Sequence, residues 1–205
     1  MYRRDKRGLA TWAKWLIGIL ATLIVLGIGG CGILFFTIYK FGQDAMDPDK
    51  AKAVAQEMVT IADPLPAPFE YKMGMNMMGY VSLVTIADEN SSYTYSLVKM
   101  QKPDGEKVSA EELVDQMAVE GVPSGQSATK KIDVTGKGST PVAGIDMPYV
   151  VGTTLSNTGE KQPALMGAVV KDKDVLMLIV IGPSSQESID LEQAKKFFEL
   201  ITAFK

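Results

Sequence analysis

The chain has 205 residues and a formal net charge of −3, with no histidine and a single cysteine, Cys31. Because histidine is the usual general base and a common metal ligand, its absence excludes Ser-His-Asp, Cys-His and histidine-based zinc chemistry within this chain. One cysteine also excludes an internal disulfide. We therefore expect no catalytic residue, no resident metal and no cofactor.

An uncharged, strongly apolar run of 24 residues at positions 15–38 predicts a transmembrane helix. At about 1.5 Å per residue the run is long enough to cross a hydrocarbon core of about 30 Å. Five basic residues and one acid precede it, so the N-terminus is expected in the cytoplasm. The prediction is a basic cytoplasmic segment at 1–14, a single-pass helix at 15–38 and a linker at 39–46. The domain at 47–205 is then extracytoplasmic, either periplasmic or extracellular, in a bacterial cell envelope.

Other interpretations of the apolar run are open. Cys31 follows Gly29 and Gly30, as the lipidated cysteine of a lipoprotein would, although apolar residues continue beyond it. A cleaved secretory signal has an apolar core of about 7 to 15 residues, which is shorter than this run. Small residues let helices approach closely in lipid, so self-association through the transmembrane helix is a further hypothesis. The small residues are Gly18, Ala21, Gly27, Gly29, Cys31 and Gly32.

The region from residue 41 onward is acidic and contains no arginine. It has 15 Lys against 23 Asp or Glu, a formal charge of −8. Such a surface, without the planar fork of arginine, does not favour nucleic acid or anionic lipid. About 160 residues are enough for one domain with its own core.

The first part of the domain predicts a helix and three strands. Asp47 and Pro48 form a good helix start, with an acceptor side chain at the N-cap and proline in the first turn. Segments 69–78, 80–87 and 93–101 are apolar or alternate between apolar and polar residues, and turn residues separate them. This pattern predicts antiparallel strands. The apolar stripe of the helix contains Ala51, Val54, Ala55, Met58, Val59 and Ala62.

The second part predicts a helix, four strands and a final helix. Ser109 and Glu112 form a capping-box pattern, and strands are expected at 130–135, 145–155, 164–170 and 175–181. The last two strands should form a hairpin at the centre of the sheet, because they are apolar on both faces. A cap pattern at 184–187 precedes the final helix. The expected apolar positions are Leu113, Val114, Met117 and Val119 in the first helix and Ala194, Phe197, Phe198, Ile201 and Phe204 in the second.

This order of elements predicts an α+β domain with a mainly antiparallel sheet of about seven strands. The late apolar hairpin and C-terminal helix, at 164–204, resemble those of the Mog1/PsbP-like group of α/β/α sandwiches. The resemblance implies a sandwich fold and a binding or assembly role, with no catalytic residues to transfer. The chain also resembles bacterial proteins with one N-terminal span and a small outer domain.

Met73, Met75 and Met77 form the most prominent cluster of side chains in the domain. At alternate positions of a strand their thioethers share a face, and soft sulfur is a ligand that Cu(I) prefers. We favour a core-facing strand in which methionine fills gaps, because no His or Cys completes a metal site.

Three shorter motifs lack the structural context that their chemistry needs. Ser96 and Lys99 fit S-x-x-K, but residues i and i+3 of a strand face opposite sides. Residues 136–139, Gly-Lys-Gly-Ser, are expected to form a turn and not a phosphate loop. Asn90 begins a glycosylation sequon in a surface turn, which matters only in a eukaryotic host.

Tyrosines and paired acids are the remaining candidates. Tyr80, Tyr93 and Tyr95 fit either a contact patch or ordinary half-buried strand positions. Paired acids are expected at a helix start and a hairpin turn, where solvated carboxylates are common. These pairs are Glu111 with Glu112 and Asp172 with Asp174.

The sequence thus favours a membrane-anchored extracytoplasmic binding or assembly module without catalytic activity. Its expected partner is another envelope or membrane protein. The alternatives are a lipoprotein-like ligand-binding or copper-handling domain, and an enzyme that uses surface carboxylates.

Overall fold

The structure is a computed structural model and describes residues 45–77, 79–101, 109–120, 122–123, 129–156 and 158–205. All of these belong to one unit, Asp44–Lys205. The predicted cytoplasmic segment, the predicted transmembrane helix at 15–38 and Cys31 lie outside the described residues. Within the described part of the chain, no helix has the length and hydropathy that a membrane span requires.

In the described residues, the helices and strands follow one another along the chain in nearly the predicted order. The helices are α1 (Pro48–Met58), α2 (Ala110–Glu120) and α3 (Leu191–Phe198). The strands are β1 (Val59–Ile61), β2 (Phe69–Met77), β3 (Val81–Asp88), β4 (Tyr93–Gln101), β5 (Val122–Pro123), β6 (Thr129–Lys130), β7 (Asp133–Val142), β8 (Ile145–Leu155), β9 (Lys161–Lys171), β10 (Asp174–Ile181) and β11 (Ile201–Phe204).

Seven strands form one antiparallel sheet in the order β2-β3-β4-β10-β9-β8-β7. The hairpin β9–β10 turns at Asp172 and Lys173, and Asp172 has a φ of 54°. β10 lies at the centre and is buried on both faces along most of its length. The predicted antiparallel sheet of about seven strands and its central hairpin are therefore confirmed.

One face of this sheet is covered by α1, α3 and the two-stranded sheet β1–β11. Phe197 of α3 stacks on Tyr95 of β4 with ring centroids 4.4 Å apart, and Phe69 of β2 lies 5.6 Å from both rings. Burying three aromatic rings at this point removes a large apolar area from water and stabilises the domain. We call this side the core face.

On the opposite face α2 lies over β7, β8 and β9. Val114 and Ala118 of α2 are buried there with Val150 of β8 and Met166 of β9. The capping box starts this helix as predicted. The Glu112 amide donates to the Ser109 hydroxyl at 3.2 Å, and the Ser109 amide donates to the Glu112 carboxylate at 3.1 Å.

The final helix is shorter than the sequence predicts. Its N-cap is Asp190, whose carboxylate accepts from the amides of Glu192 (2.9 Å) and Gln193 (3.2 Å), and not the pattern at 184–187. Ile201 and Phe204 are buried as expected, but in β11. The spacing i, i+3 fits a helix in isolation, whereas pairing of β11 with β1 makes this segment a strand.

Several other predicted positions are also wrong. Val59 belongs to β1, and Ala62 lies beyond α1. Val119 is 70% exposed, since Ala118 takes the buried position next to it. The strand predicted at 130–135 is divided between the end of β6 and the start of β7, because residues 131–132 break the pairing. Residues 136–139 lie within β7 and do not form a turn.

Candidate functional site

The alternation of β3 distinguishes the two faces of the sheet. Its residues on the core face are buried without exception, whereas those on the opposite face are all half-buried. Because successive side chains of a strand point to opposite sides, this difference reports how well each side is covered. The half-buried residues are Val81, Leu83, Thr85 and Ala87.

The strand register extends this half-covered surface across β2, β3 and β4. Met73 lies beside Thr85, Met75 beside Leu83, and Met77 beside Val81. Leu83 and Val81 are paired in turn with Val98 and Met100 of β4. We call this surface the methionine face. It consists of Met73, Met75, Met77, Val81, Leu83, Thr85 and Met100, together with Val98, which is buried beside them.

The methionine face contains no charged side chain. At the end remote from Met77, the charged residues beside it are Glu70, Lys72 and Glu89. There the Lys72 ammonium lies 2.8 Å from a carboxylate oxygen of Glu70 and 2.8 Å from one of Glu89. These two ion pairs partly neutralise the charge beside the methionine face.

One end of the methionine face is open to solvent at the β2–β3 turn. Met77 is 54% exposed and Tyr80 is 70% exposed. The turn is held by the Tyr80 amide, which donates to the Met77 carbonyl at 3.1 Å, and by the Gly79 amide, which donates to the Asn76 side chain at 2.9 Å. Gly79 has a φ of 80°, a conformation that favours glycine. Met77 and Tyr80 are therefore two large exposed side chains at the same end of the methionine face.

The predicted alternation of Met73, Met75 and Met77 on one face is confirmed, but the prediction that they face the core is wrong. The core side of β2 is taken by Gly74, where a Cβ would overlap the backbone of Ala51 in α1. Met73 and Met75 are half-buried on the other side. The close approach of α1 thus places the three thioethers on the face of the sheet opposite α1.

Two of the three candidate contact tyrosines are buried. Tyr93 and Tyr95 are 1% and 0% exposed, so only Tyr80 lies on the surface. The Tyr93 hydroxyl donates to the Gln186 side chain at 2.7 Å and accepts from the Asp190 amide at 2.9 Å. Alternation within a half-buried strand was the other interpretation, and it accounts for Tyr93 and Tyr95, which take buried positions of β4.

Asp88 is a buried acid that the sequence did not single out. It is 1% exposed, and its carboxylate accepts from the Ser91 hydroxyl at 2.6 Å and from the Gln193 amide group at 2.5 Å. The backbone amides of Asn90 and Ser91 also donate to it, at 2.9 and 3.2 Å. Because four donors satisfy this carboxylate, we assign it a structural role in joining the β3–β4 turn to α3.

Burial raises the pKa of Tyr95 well above its ordinary range, and the nearby Asp88 carboxylate raises it further. Burial also raises the pKa of Tyr71 to about 12, with a smaller contribution from the Asp63 carboxylate. Both shifts keep the phenol protonated, which suits a core residue and not a general base.

The remaining motifs do not assemble a catalytic site. Ser96 and Lys99 lie on opposite faces of β4, as expected, and Lys99 pairs with Asp174 of β10 at 2.8 Å. Glu111 and Glu112 are exposed at the start of α2. Within the described residues, no group of three or more acids or cysteines is placed to hold a metal ion.

Comparison with known proteins finds similarity among solved structures. No protein-family model matches the chain. No curated protein matches it either. The solution structure of cyanobacterial PsbP (CyanoP) from Synechocystis sp. PCC 6803 is similar over 69% of this chain and 83% of that chain, with 11% sequence identity and a TM-score of 0.43. A likeness at that score assigns neither an activity nor a partner.

Proposed function

We propose that the protein is a non-catalytic binding or assembly module that docks another envelope or membrane protein on the methionine face. In this proposal residues 15–38 hold the domain at the outer surface of a bacterial membrane. The observation that carries the proposal is the difference between the two faces of β2, β3 and β4. The core face is covered by α1 and α3, whereas α2 is the only described helix on the other face and lies over β7, β8 and β9.

The chemistry of the methionine face supports protein binding. Burying apolar surface is the main favourable term in association, and methionine is common at adaptable binding surfaces. Contiguous apolar surface that stays exposed on a folded domain marks sites of protein contact. Tyr80 extends the surface at the β2–β3 turn with an amphipathic ring of the kind enriched at interfaces.

A copper-handling domain is the alternative that a specific observation favours. The thioethers of Met73, Met75 and Met77 share one accessible face, as Cu(I) coordination would need. A ligand-binding lipoprotein and an enzyme using surface carboxylates are weaker alternatives, since the described acids are exposed singly, paired with lysine or fully hydrogen-bonded.

A photo-crosslinking amino acid in place of Met75 tests the proposal. The full chain is expressed in bacterial cells, irradiated in intact membranes and separated by mass. We expect discrete protein adducts from position 75, because this side chain lies in the middle of the methionine face. Position 202 is the matched control, because Thr202 is exposed on β11, on the opposite side of the sheet.

The variant Met73→Leu with Met77→Leu separates protein docking from copper binding. It keeps the face apolar and removes two sulfur atoms, so adduct formation should persist within about two-fold. Loss of the adducts in this variant, or equal labelling from positions 75 and 202, would contradict docking on the methionine face.

A further inference from the structure

The methionines of this domain differ widely in their exposure to solvent. Met77 is 54% exposed at the end of β2, and Met46 is 70% exposed before α1. Other methionines lie in the core, where they are 0% to 1% exposed and their sulfur atoms are shielded from dissolved reagents. These core residues are Met58, Met147, Met166 and Met177. The fold therefore presents some thioethers to the solvent and protects others.

Met77 occupies a fixed position at the surface. It is paired with Val81 of β3, and its carbonyl oxygen accepts from the Tyr80 amide at 3.1 Å. Val81 packs against the buried residues under α2, whereas Met77 stays more than half exposed. On the same side of β2, Met73 and Met75 are half-buried. Exposure of the thioethers thus increases along β2 towards Met77.

We propose that Met77 is a site of reversible oxidation to methionine sulfoxide by a peroxide. A lone pair of the thioether sulfur attacks one oxygen of hydrogen peroxide, and the O–O bond breaks. The sulfur keeps that oxygen and is oxidised by two electrons. The proton of the transferred hydroxyl passes to the departing hydroxide, which leaves as water. Two thiols of a reductase restore the thioether, with release of water and formation of a disulfide.

Oxidation at Met77 changes the surface of the domain and leaves its core unchanged. A sulfoxide adds a polar oxygen to a previously apolar side chain. At Met77 water can solvate this oxygen, whereas at Met166 the same change would bury a polar atom without a partner. We therefore expect the folded domain to accept oxidation at Met77 without unfolding. This inference is independent of the proposed function, since it needs neither a partner nor a membrane anchor.

Graded treatment of the full chain in detergent with hydrogen peroxide tests this inference. Tandem mass spectrometry of its peptides locates each added oxygen and gives a rate of oxidation for each methionine. Met46 is the exposed reference, and Met166 is the buried one. We expect Met77 to react within about five-fold of the Met46 rate and at least about five times faster than Met166, with an unchanged circular dichroism spectrum. Methionine sulfoxide reductases for both epimers, supplied with a dithiol, should then return Met77 to its original mass.

Oxidation of the chain unfolded in urea supplies the control, because unfolding exposes every thioether and should bring the three rates together. The variant Met77→Leu checks the assignment, since it keeps an apolar side chain and should leave the Met46 rate unchanged. A Met77 rate outside either limit would overturn the proposal, and so would a sulfoxide that the reductases leave in place. Rates that stay separated in urea would show that neighbours in the sequence, and not the fold, set them, which would also overturn it.

Discussion

Gly74 is the residue that determines which way the methionines of β2 point. Its lack of a side chain lets the Ala51 backbone of α1 lie directly against the strand. Since neighbours in a strand alternate, a glycine on the core side places Met73 and Met75 on the other side. The alternation itself is readable from the sequence. Which of the two faces is buried depends on α1, whose position is a tertiary contact.

The raised pKa of Tyr95 predicts that the domain becomes less stable at alkaline pH. Its raised pKa in the folded state means that folding is fully supported below the unfolded pKa of about 10. That support is lost as the pH rises towards the folded pKa, because the unfolded chain releases the proton more easily. We expect the free energy of unfolding to fall above about pH 10, and to fall less steeply in Tyr95→Phe.

Urea unfolding of the full chain in detergent, followed by circular dichroism across this pH range, measures the effect. Tyr80→Phe is the control, since Tyr80 is 70% exposed. The same pH dependence in Tyr95→Phe as in the original chain would be inconsistent with this explanation.

The C-terminal elements show where helical spacing and tertiary pairing disagree. Ile201 and Phe204 continue the apolar spacing of α3, but β11 pairs with β1 and the helix ends at Phe198. Lys171 strengthens that pairing, because its ammonium donates to the Phe204 carbonyl at 2.9 Å. A strand partner 140 residues distant in the chain is not visible in local periodicity.

Removing the N-cap of α3 tests its observed start. Asp190→Ala deletes the carboxylate that accepts from two backbone amides, and should lower the free energy of unfolding by about 1 kcal/mol. Glu187→Ala, in the pattern that the sequence suggested as the cap, should change it by less than about 0.5 kcal/mol. Thermal unfolding of both variants measures the difference. A larger loss in Glu187→Ala would show that the helix starts earlier.

At the scale of the whole molecule, the proposal depends on the domain lying outside the membrane and remaining attached to it. Protease treatment of intact cells or spheroplasts should degrade residues 47–205 and leave the basic segment at 1–14 protected. A cytoplasmic protein of the same cells serves as the control for lysis. A domain that resists protease until the cells are broken would contradict the expected orientation.

The sequence by itself determined the compartment hypothesis, the exclusion of histidine and disulfide chemistry, and most strands of the sheet. These depend on composition and on short-range alternation, which are properties of neighbours in the chain. Tertiary structure alone decided that Tyr93 and Tyr95 are buried, that Ile201 and Phe204 form a strand, and that the methionines face outward. Those outcomes depend on contacts such as that of Ala51 with Gly74. Such contacts join residues that are distant in the sequence, and local periodicity does not reveal them.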